Sequence, residues 1–346
     1  MSEEYIPSFY KEFCCVAGKC PDTCCKDWDI VVDESAYKFY ESLNGEYGEN
    51  IRQSMITDED GDIIFRLRED GFCPHLTAEK LCGIQVRFGE SAVCETCRKF
   101  PRISQDYTEF TEYLLSMACP SAAKLMLEES KFDFLSNFTV KREDNGYSKE
   151  FMNFLLIARD ITAEIFKNKS EPFANRLKKG LAYTEYVQQL IDDEKFDIKQ
   201  LYEYKCNYSP IEGADRKFVF ELHGNLDIMD STYREELRAC GEYALQANEA
   251  TEREFENLAL YYIYRYYLTA IASCDIITSI KRIYCAYVIC SALISKNKAE
   301  NDTEQRILII QKYSKEVEHS FENTDILTDE FVFNDKFSSE YLISTL

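Results

Sequence analysis

The residues best suited to chemistry are cysteines, and ten of the fifteen lie within the first 119 residues. They occur in tight groups among Pro, Gly and Asp residues that favour turns. Thiolates brought together in turn-rich loops can hold a tetrahedral zinc ion or an iron–sulfur cluster. The ten are Cys14, Cys15, Cys20, Cys24, Cys25, Cys73, Cys82, Cys94, Cys97 and Cys119. We therefore predict metal binding here rather than ten packed thiols.

Ten thiols exceed the four ligands of one site, which leaves the number of sites open. Cys24 and Cys25 are adjacent, and adjacent side chains usually point in different directions. One of the two would then serve a neighbouring site or only pack. The three histidines, His75, His223 and His319, are too dispersed in the sequence for a histidine metal site.

The elements that must position these thiols divide the chain by composition. Residues 1–125 predict a small, irregular, metal-binding domain with short helices and one hairpin near residues 63–68, because turn signals are frequent there. Residues 126–346 predict an all-helical domain. Helical spacing of apolar residues begins at 121–130 and resumes after Ser148, beyond a predicted linker at residues 144–146. The predicted fold class is mainly α.

Two features of the distal part are explained better by packing in the core than by a functional site. Its five cysteines stand singly among apolar residues, which is typical of small buried hydrophobes. The tyrosines of residues 261–267 could line a pocket for an amine or an adenine ring, but a helix surrounded by core is favoured. The five cysteines are Cys206, Cys240, Cys274, Cys285 and Cys290.

The net charge and the first residues indicate which partners and which location to expect. Because 40 Lys+Arg face 62 Asp+Glu, the net charge is −22, and we expect no nucleic-acid partner. A lysine-bearing protein would suit this surface. The start lacks the features of a secretory signal, which favours a cytoplasmic location where thiols stay reduced. The most apolar run, residues 283–294, is shorter than the about 20 residues of a membrane span, so no membrane contact is predicted. The sequence indicates no oligomeric state.

The cysteine motifs resemble those of the FliB-type flagellin lysine-N-methylases. The paired cysteines and the Cys-Arg-x-Phe-Pro element are also similar to YkgJ-type zinc- or iron-chelating proteins. The resemblance covers about the first 125 residues, and the helical remainder is compatible in length and character only. The matching motifs are Phe13-x-Cys15-x4-Cys20-x3-Cys24-Cys25-x2-Trp28, Cys73-Pro74-x-Leu76, Cys82-x-Ile84, Cys97-Arg98-x-Phe100-Pro101-Arg102 and Leu115-x3-Cys119-Pro120.

The resemblance implies methyl transfer from S-adenosylmethionine to lysine side chains of flagellin, with a [4Fe-4S] cluster held by cysteines. Zinc is the alternative metal. Cys14 and Cys94 look like extras, and His75 stands where the family often has Phe, which opens a nitrogen ligand. The positions that match the family are Cys15, Cys20, Cys24, Cys25, Cys73, Cys82, Cys97 and Cys119.

The chain lacks the usual features for binding a methyl donor. No Gly-x-Gly occurs, so the phosphate-type turn of a Rossmann-like enzyme is missing. A cluster held by three thiolates would leave one iron open to chelate the donor, whereas a fully ligated cluster or zinc would only organise the fold. Arg98 and Arg102 are candidates for the donor carboxylate, or they pair with Glu95 or Asp106.

These observations predict a flagellin lysine methyltransferase whose catalytic base stays unnamed. The alternative is a non-catalytic zinc or iron–sulfur module for redox or interaction, with a helical partner-binding domain.

Overall fold

The computed structural model describes residues 3–128, 132, 139–141, 146–205, 208–244 and 247–346. The fold is mainly α-helical, as predicted. The masked stretches include Cys206 and two residues of the predicted linker, 144 and 145, so these predictions lie outside the described residues.

The cysteine-rich part has short helices, as predicted, and two small sheets. The predicted hairpin is confirmed, since Met55 pairs antiparallel with Phe65. A second sheet has the order β1-β5-β4, with β1 parallel to β5. The elements are β1 (Glu3–Tyr5), α1 (Glu34–Ser42), α2 (Glu46–Ser54), β2 (Met55–Thr57), β3 (Ile63–Phe65), α3 (Gly83–Phe88), α4 (Glu95–Lys99), β4 (Arg102–Asp106) and β5 (Phe110–Leu115).

The rest of the described chain is helical. Its first long helix begins after Ser148, whose side chain accepts a hydrogen bond from the Phe151 amide and so caps the helix. The elements are α5 (Pro120–Glu128), α6 (Lys149–Lys167), α7 (Phe173–Asp192), α8 (Lys217–Asn225), α9 (Ser231–Ala239), α10 (Glu249–Tyr266), α11 (Ala270–Ser273), α12 (Ile277–Lys296), α13 (Thr303–Tyr313), a π-helix (Ser314–Glu318), α14 (Phe321–Phe333) and α15 (Ser339–Thr345).

Two apolar cores hold the molecule together. The small core lies within residues 30–94 and includes Tyr40, Phe65 and Ile84. The large core contains the helices together with Phe9 and the inner face of β5. The small core therefore belongs wholly to the cysteine-rich part, whereas the large core includes residues of that part as well as the helices.

The distal cysteines and tyrosines are mostly core residues. Cys240, Cys285 and Cys290 are fully buried, as predicted, but Cys274 is exposed at the C-terminus of α11. Tyr261, Tyr262 and Tyr264 of α10 are buried, Tyr266 is partly buried, and Tyr267 is buried just after the helix, which confirms the core interpretation. Burial within the large core thus accounts for most of these residues without a ligand.

One helix, α12, is long and apolar enough to cross a membrane by length and composition alone. It is longer than the apolar run seen in the sequence because the helix continues through polar residues at both ends. In its most apolar window 83 % is buried inside the fold, as in the core helix of a soluble protein.

Candidate metal centre

Four thiols lie around the first cysteine loop and the start of α5, and we call them the loop set: Cys15, Cys20, Cys24 and Cys119. The Cys20 thiol donates to the Asp22 carbonyl over 3.0 Å, and the Ala17 amide donates to the Cys15 sulfur over 3.4 Å. Burial, aided by the charges of the Cys20 and Cys15 thiols, raises the pKa of Cys119 to about 11. The members of this set therefore lie within electrostatic reach of one another.

Five further thiols lie in or beside the small core, and we call them the core set: Cys25, Cys73, Cys82, Cys94 and Cys97. Cys94 donates to the Cys97 sulfur over 3.7 Å. The Cys73 amide donates to the Cys25 carbonyl over 2.8 Å, which pins the two segments side by side. Burial, followed by the charges of Cys25, Cys82 and Cys94, raises the pKa of Cys73 to about 12.

The two sets meet at Cys24 and Cys25. A hydrogen bond between these thiols lowers the pKa of Cys25 to about 7 and raises that of Cys24. The two thiols thus lie close enough to shift each other's pKa. Their other neighbours still differ: Cys24 interacts with Cys15 and Cys119, whereas Cys25 acts on the thiols of the core set.

The donor chemistry fits a soft metal or an iron–sulfur cluster. In the described part of the chain no three His, Cys, Asp or Glu side chains converge on one metal ion. An iron–sulfur cluster takes its thiolate ligands on several iron atoms, so its ligand sulfurs lie farther apart than those around a single metal ion. Burial and mutual repulsion hold the thiols of Cys73 and Cys119 protonated at neutral pH, and a bound cation would displace those protons.

The remaining predicted site residues lie near these sets. Cys14 is exposed and donates only to the Cys15 carbonyl, at 3.8 Å. His75 is buried beside the core set, and its Nε2 lies 3.0 Å from the Ser54 hydroxyl. Burial lowers the pKa of His75 to about 4, so its ring is neutral at physiological pH.

Arg98 and Arg102 are both exposed. Within the described residues neither forms an ion pair, and Glu95 pairs instead with Lys99 at 2.7 Å. The Arg102 guanidinium lies 5.2 Å from the Phe13 ring. Both guanidinium groups thus stay available to a ligand.

The loop set is held against the helical region by Asp22. Its carboxylate accepts from Lys315 Nζ at 2.9 Å and from Gln311 Nε2 at 2.8 Å. Gln311 also donates to the Ala118 carbonyl, next to Cys119. Lys315 belongs to the π-helix, a rare element that is frequent at functional sites.

A three-ring cluster lies beside this contact. Trp28 packs edge-on against Phe100 and His319, each at a centroid distance of 5.4 Å. The His319 Nε2 lies 2.6 Å from the Ser116 hydroxyl. Burial, aided by the Arg265 charge, lowers the pKa of His319 to about 4. The cluster therefore joins the Cys97 element to the end of the π-helix without adding positive charge at neutral pH.

A buried carboxylate, Glu318, lies next to His319. It accepts hydrogen bonds from Tyr261 at 2.8 Å, Tyr266 at 2.7 Å and Ser314 at 2.6 Å, and pairs with Arg265. The sequence analysis named His319 only to exclude a histidine metal site and missed Glu318, because both lie some 200 residues beyond Cys119, the last of the N-terminal cysteines. No local pattern marks the pair, since the surrounding residues 311–323 are mostly polar or charged.

An open cavity of about 710 Å³ lies beside the core set. Its lining includes Pro74 and Gly83, which directly follow Cys73 and Cys82, but no cysteine. The Arg87 guanidinium, also in the lining, stacks 4.6 Å from the Tyr47 ring.

Comparison with known proteins connects the helical region to a family. The model of the FliB lysine N-methylase C-terminal domain matches residues 212–345. The "Flagellar biosynthetic protein FliU" of Salmonella muenchen is 31% identical over 129 residues, which are 36% of this chain and 76% of the relative. The chain belongs to the FliB-type lysine N-methylase family. Its C-terminal match covers the helices for which the sequence had indicated only compatible length and character.

A second relative of this family is longer. The "Lysine-N-methylase" of Salmonella typhimurium strain LT2 is 31% identical over 140 residues, 39% of this chain. The match spans 35% of that relative, about a third of its length. No solved structure matches the chain.

Proposed function

We propose that this protein is a cytoplasmic lysine N-methyltransferase that acts on flagellin, takes its methyl group from S-adenosylmethionine and depends on a cysteine-bound [4Fe-4S] cluster. One observation carries the proposal. Residues 212–345 match a domain named for lysine N-methylation, and three of them, Gln311, Lys315 and His319, contact the segment that carries the loop set. The family domain thus contacts the segment between the thiols of the loop set, which supports a shared site.

The cysteines are suited to holding the cluster. Every cysteine in the described residues is a free thiol, as expected in a reducing compartment. When bound, the cluster would supply an iron to which the amino and carboxylate groups of the methyl donor can bind. Arg98 and Arg102 would bind the donor carboxylate, which is supported by their exposure and by the absence of ion pairs to them in the described part.

The substrate lysine must reach the site and lose a proton. A free lysine has a pKa of about 10.4, and transfer to an apolar environment lowers it. The net charge of −22 attracts lysine-bearing proteins at long range. At short range the half-buried rings of Trp28 and Phe100 offer an apolar surface beside the neutral ring of His319. The Lys315 ammonium lies 5.7 Å from the Trp28 ring, and Asp22 balances its charge.

The test is a methylation assay with anaerobically purified protein, flagellin and labelled S-adenosylmethionine, read by mass spectrometry of lysine peptides. We expect Arg98→Gln and Arg102→Gln to raise the KM for the donor about tenfold each, the loss of one charge-assisted contact. Arg87→Gln is the matched control, because this guanidinium already stacks on the Tyr47 ring and is not assigned to the donor, so the KM should stay unchanged.

An unlabelled flagellin in the presence of an intact cluster would refute the proposal. That result would leave the alternative of a non-catalytic metal module whose helical region binds a partner.

A further inference from the structure

We propose that the exposed face of α14 is a docking surface for a lysine-rich, amphipathic segment of the substrate protein. This inference rests on the function proposed above and deepens it, because it names a surface that binds the substrate away from the reacting lysine. Binding there requires neither the methyl donor nor a metal, so it can be measured without methyl transfer. We call this surface the α14 face and define it by six residues: Phe321, Glu322, Asp325, Asp329, Val332 and Phe333.

The six side chains lie on one side of the helix. At about 100° per residue they cover an arc of about 120°. All six are exposed to solvent. The opposite side is packed, since Leu327 and Phe331 lie in the large core and the buried Asn323 amide donates to the carbonyls of Asp227 and Glu316. The helix is therefore held in one orientation, with the α14 face turned outwards.

The apolar members of the face are more exposed than their residue types usually are. Phe321 is 91% exposed, Phe333 81% and Val332 60%. Among the described residues these two are the only exposed phenylalanines, a residue type that is normally buried. Each ring can remove about 150–250 Å² from water on contact with a partner. The two ends of the face therefore supply the apolar contacts of a binding surface.

The middle of the face is acidic. Asp325 and Asp329 lie one helical turn apart, and within the described residues neither carboxylate forms an ion pair or a hydrogen bond. Glu322 lines a cavity together with Arg234 and Arg238, so its charge is partly balanced. The order along the helix is apolar, acidic, apolar. The complementary partner is a segment with lysines in the middle and apolar side chains on either side.

The charge of the face argues against other occupants. In a symmetric contact with a second copy of this chain, the acidic residues of one face would lie against those of the other. Each copy also carries a net charge of −22, so the two would repel each other. An anionic membrane surface is disfavoured for the same reason. A basic protein segment is therefore the occupant that the charges favour.

The α14 face begins next to the three-ring cluster. Phe321 is the second residue after His319, whose ring packs against Trp28. A helix of 13 residues is about 20 Å long, so the face forms a strip of this length with one end at the cluster. A substrate segment bound along the strip would bring a neighbouring lysine to the apolar surface of Trp28 and Phe100. Docking at the α14 face thereby selects lysines that are close to a basic amphipathic segment.

The experiment measures binding of a fluorescent 13-residue helical peptide, the length of α14, by anisotropy with the full chain. The peptide carries lysine and leucine on one face, and a second peptide has glutamate in place of lysine. We expect only the lysine peptide to bind, and to bind more weakly at high salt. Phe321→Ser with Phe333→Ser, and separately Asp325→Asn with Asp329→Asn, should each weaken binding about tenfold.

Matched controls come from the cysteine-rich part. Val86 is 67% exposed on α3, and Val86→Ser should leave peptide binding unchanged. Glu41→Gln with Glu46→Gln changes the net charge as much as the aspartate pair does, at exposed positions of α1 and α2. Because every substituted residue is exposed, all variants should keep the far-UV circular dichroism and the Tm of the wild type.

A second readout uses the methylation assay. The two α14 double variants should raise the KM for flagellin about tenfold and leave kcat unchanged, as expected for a surface that only binds. Equal binding of the two peptides, or unchanged affinity in the folded phenylalanine variant, would overturn the inference. A wild type that dimerises while the phenylalanine variant stays monomeric would also overturn it. Peptide binding at this face without methylation of flagellin would refute the proposed function and leave the docking surface standing.

Discussion

The Asp22–Lys315 pair is the strongest single link between the cysteine loop and the helical region. Lys315 has a side chain only 6% exposed, and Asp22 is 30% exposed. Asp22 also accepts from Gln311. Replacing Asp22 by Asn keeps the shape of the side chain but leaves the buried ammonium without a counter-charge.

The expected cost follows from the burial. Removing one partner of a fully buried pair costs about 3–5 kcal/mol. Because water reaches the Asp22 carboxylate, we expect about 2 kcal/mol for Asp22→Asn. Lys315→Met removes the buried charge itself and leaves Asp22 bonded to Gln311, so it should cost about 1 kcal/mol. The double variant should resemble Lys315→Met, which gives a coupling energy of about 2 kcal/mol.

Urea unfolding of the four proteins of this double-mutant cycle measures the coupling. Lys312→Met is the control for an exposed pair: Lys312 pairs with Asp230 at 2.6 Å, and both side chains are one-third exposed. It should cost at most about 1 kcal/mol. A coupling energy below about 0.5 kcal/mol would refute the claim that this pair holds the loop. Metal content measured on the same samples shows whether loosening the loop releases the centre.

Three further predictions concern buried or capping charges. Burial would raise the pKa of Asp33, but hydrogen bonds from Ser35, Ala36 and Glu95 lower it to about 2. The stability that Asp33 provides is therefore present above a pH of about 4 and lost as the pH falls through about 2. Asp33→Ala should lower the free energy of unfolding by about 1 kcal/mol and remove this acid-dependent part of the unfolding profile. Arg159→Met should cost about 3–5 kcal/mol in urea unfolding, because Glu112, paired at 2.8 Å, stays buried, and adding Glu112→Leu should recover most of the loss. Burial would raise the pKa of Glu318, but the Arg265 charge outweighs burial and lowers that pKa. Arg265→Met should therefore reduce the free energy of unfolding most at pH values above the usual carboxylate pKa range, and little in acid. The predictions for Asp33 and Arg265 would be contradicted if their variants kept the pH profile of the wild type. The prediction for Arg159 would be contradicted if the losses of the Arg159 and Glu112 single variants simply added in the double variant.

The sequence was sufficient for local features. A hairpin was predicted near residues 63–68 because turn signals are frequent in that part of the chain, and the structure forms it from β2 and β3, with Gly61 at a φ of 92° between them. The helix from Ser148 was predicted because a capping residue precedes apolar residues at helical spacing. The long helices needed no knowledge of tertiary structure.

Long-range positions were beyond sequence reasoning. Nothing local indicates that Cys119 lies with the first loop while Cys97 lies with the small core, since this depends on how α5 packs. Cys274 was expected to be buried, but it ends α11 with a positive φ of 57° and faces solvent. Spacing along the chain gives candidate ligands, whereas the packing of two cores decides which of them can share a metal.

The helical region is therefore more than a partner-binding appendage to a metal domain. Its π-helix places Lys315 under Asp22, and the next turn brings His319 against Trp28. The hydrogen bonds of a π-helix span five residues, whereas those of a regular α-helix span four. The extra residue of the π-helix changes which side chains face the loop. Deleting one residue from the π-helix should rotate His319 away from Trp28 while leaving α13 intact. Loss of bound metal with unchanged helical content in that variant would show that the family domain positions the cysteine loop, and retention of the metal would show that the loop organises itself.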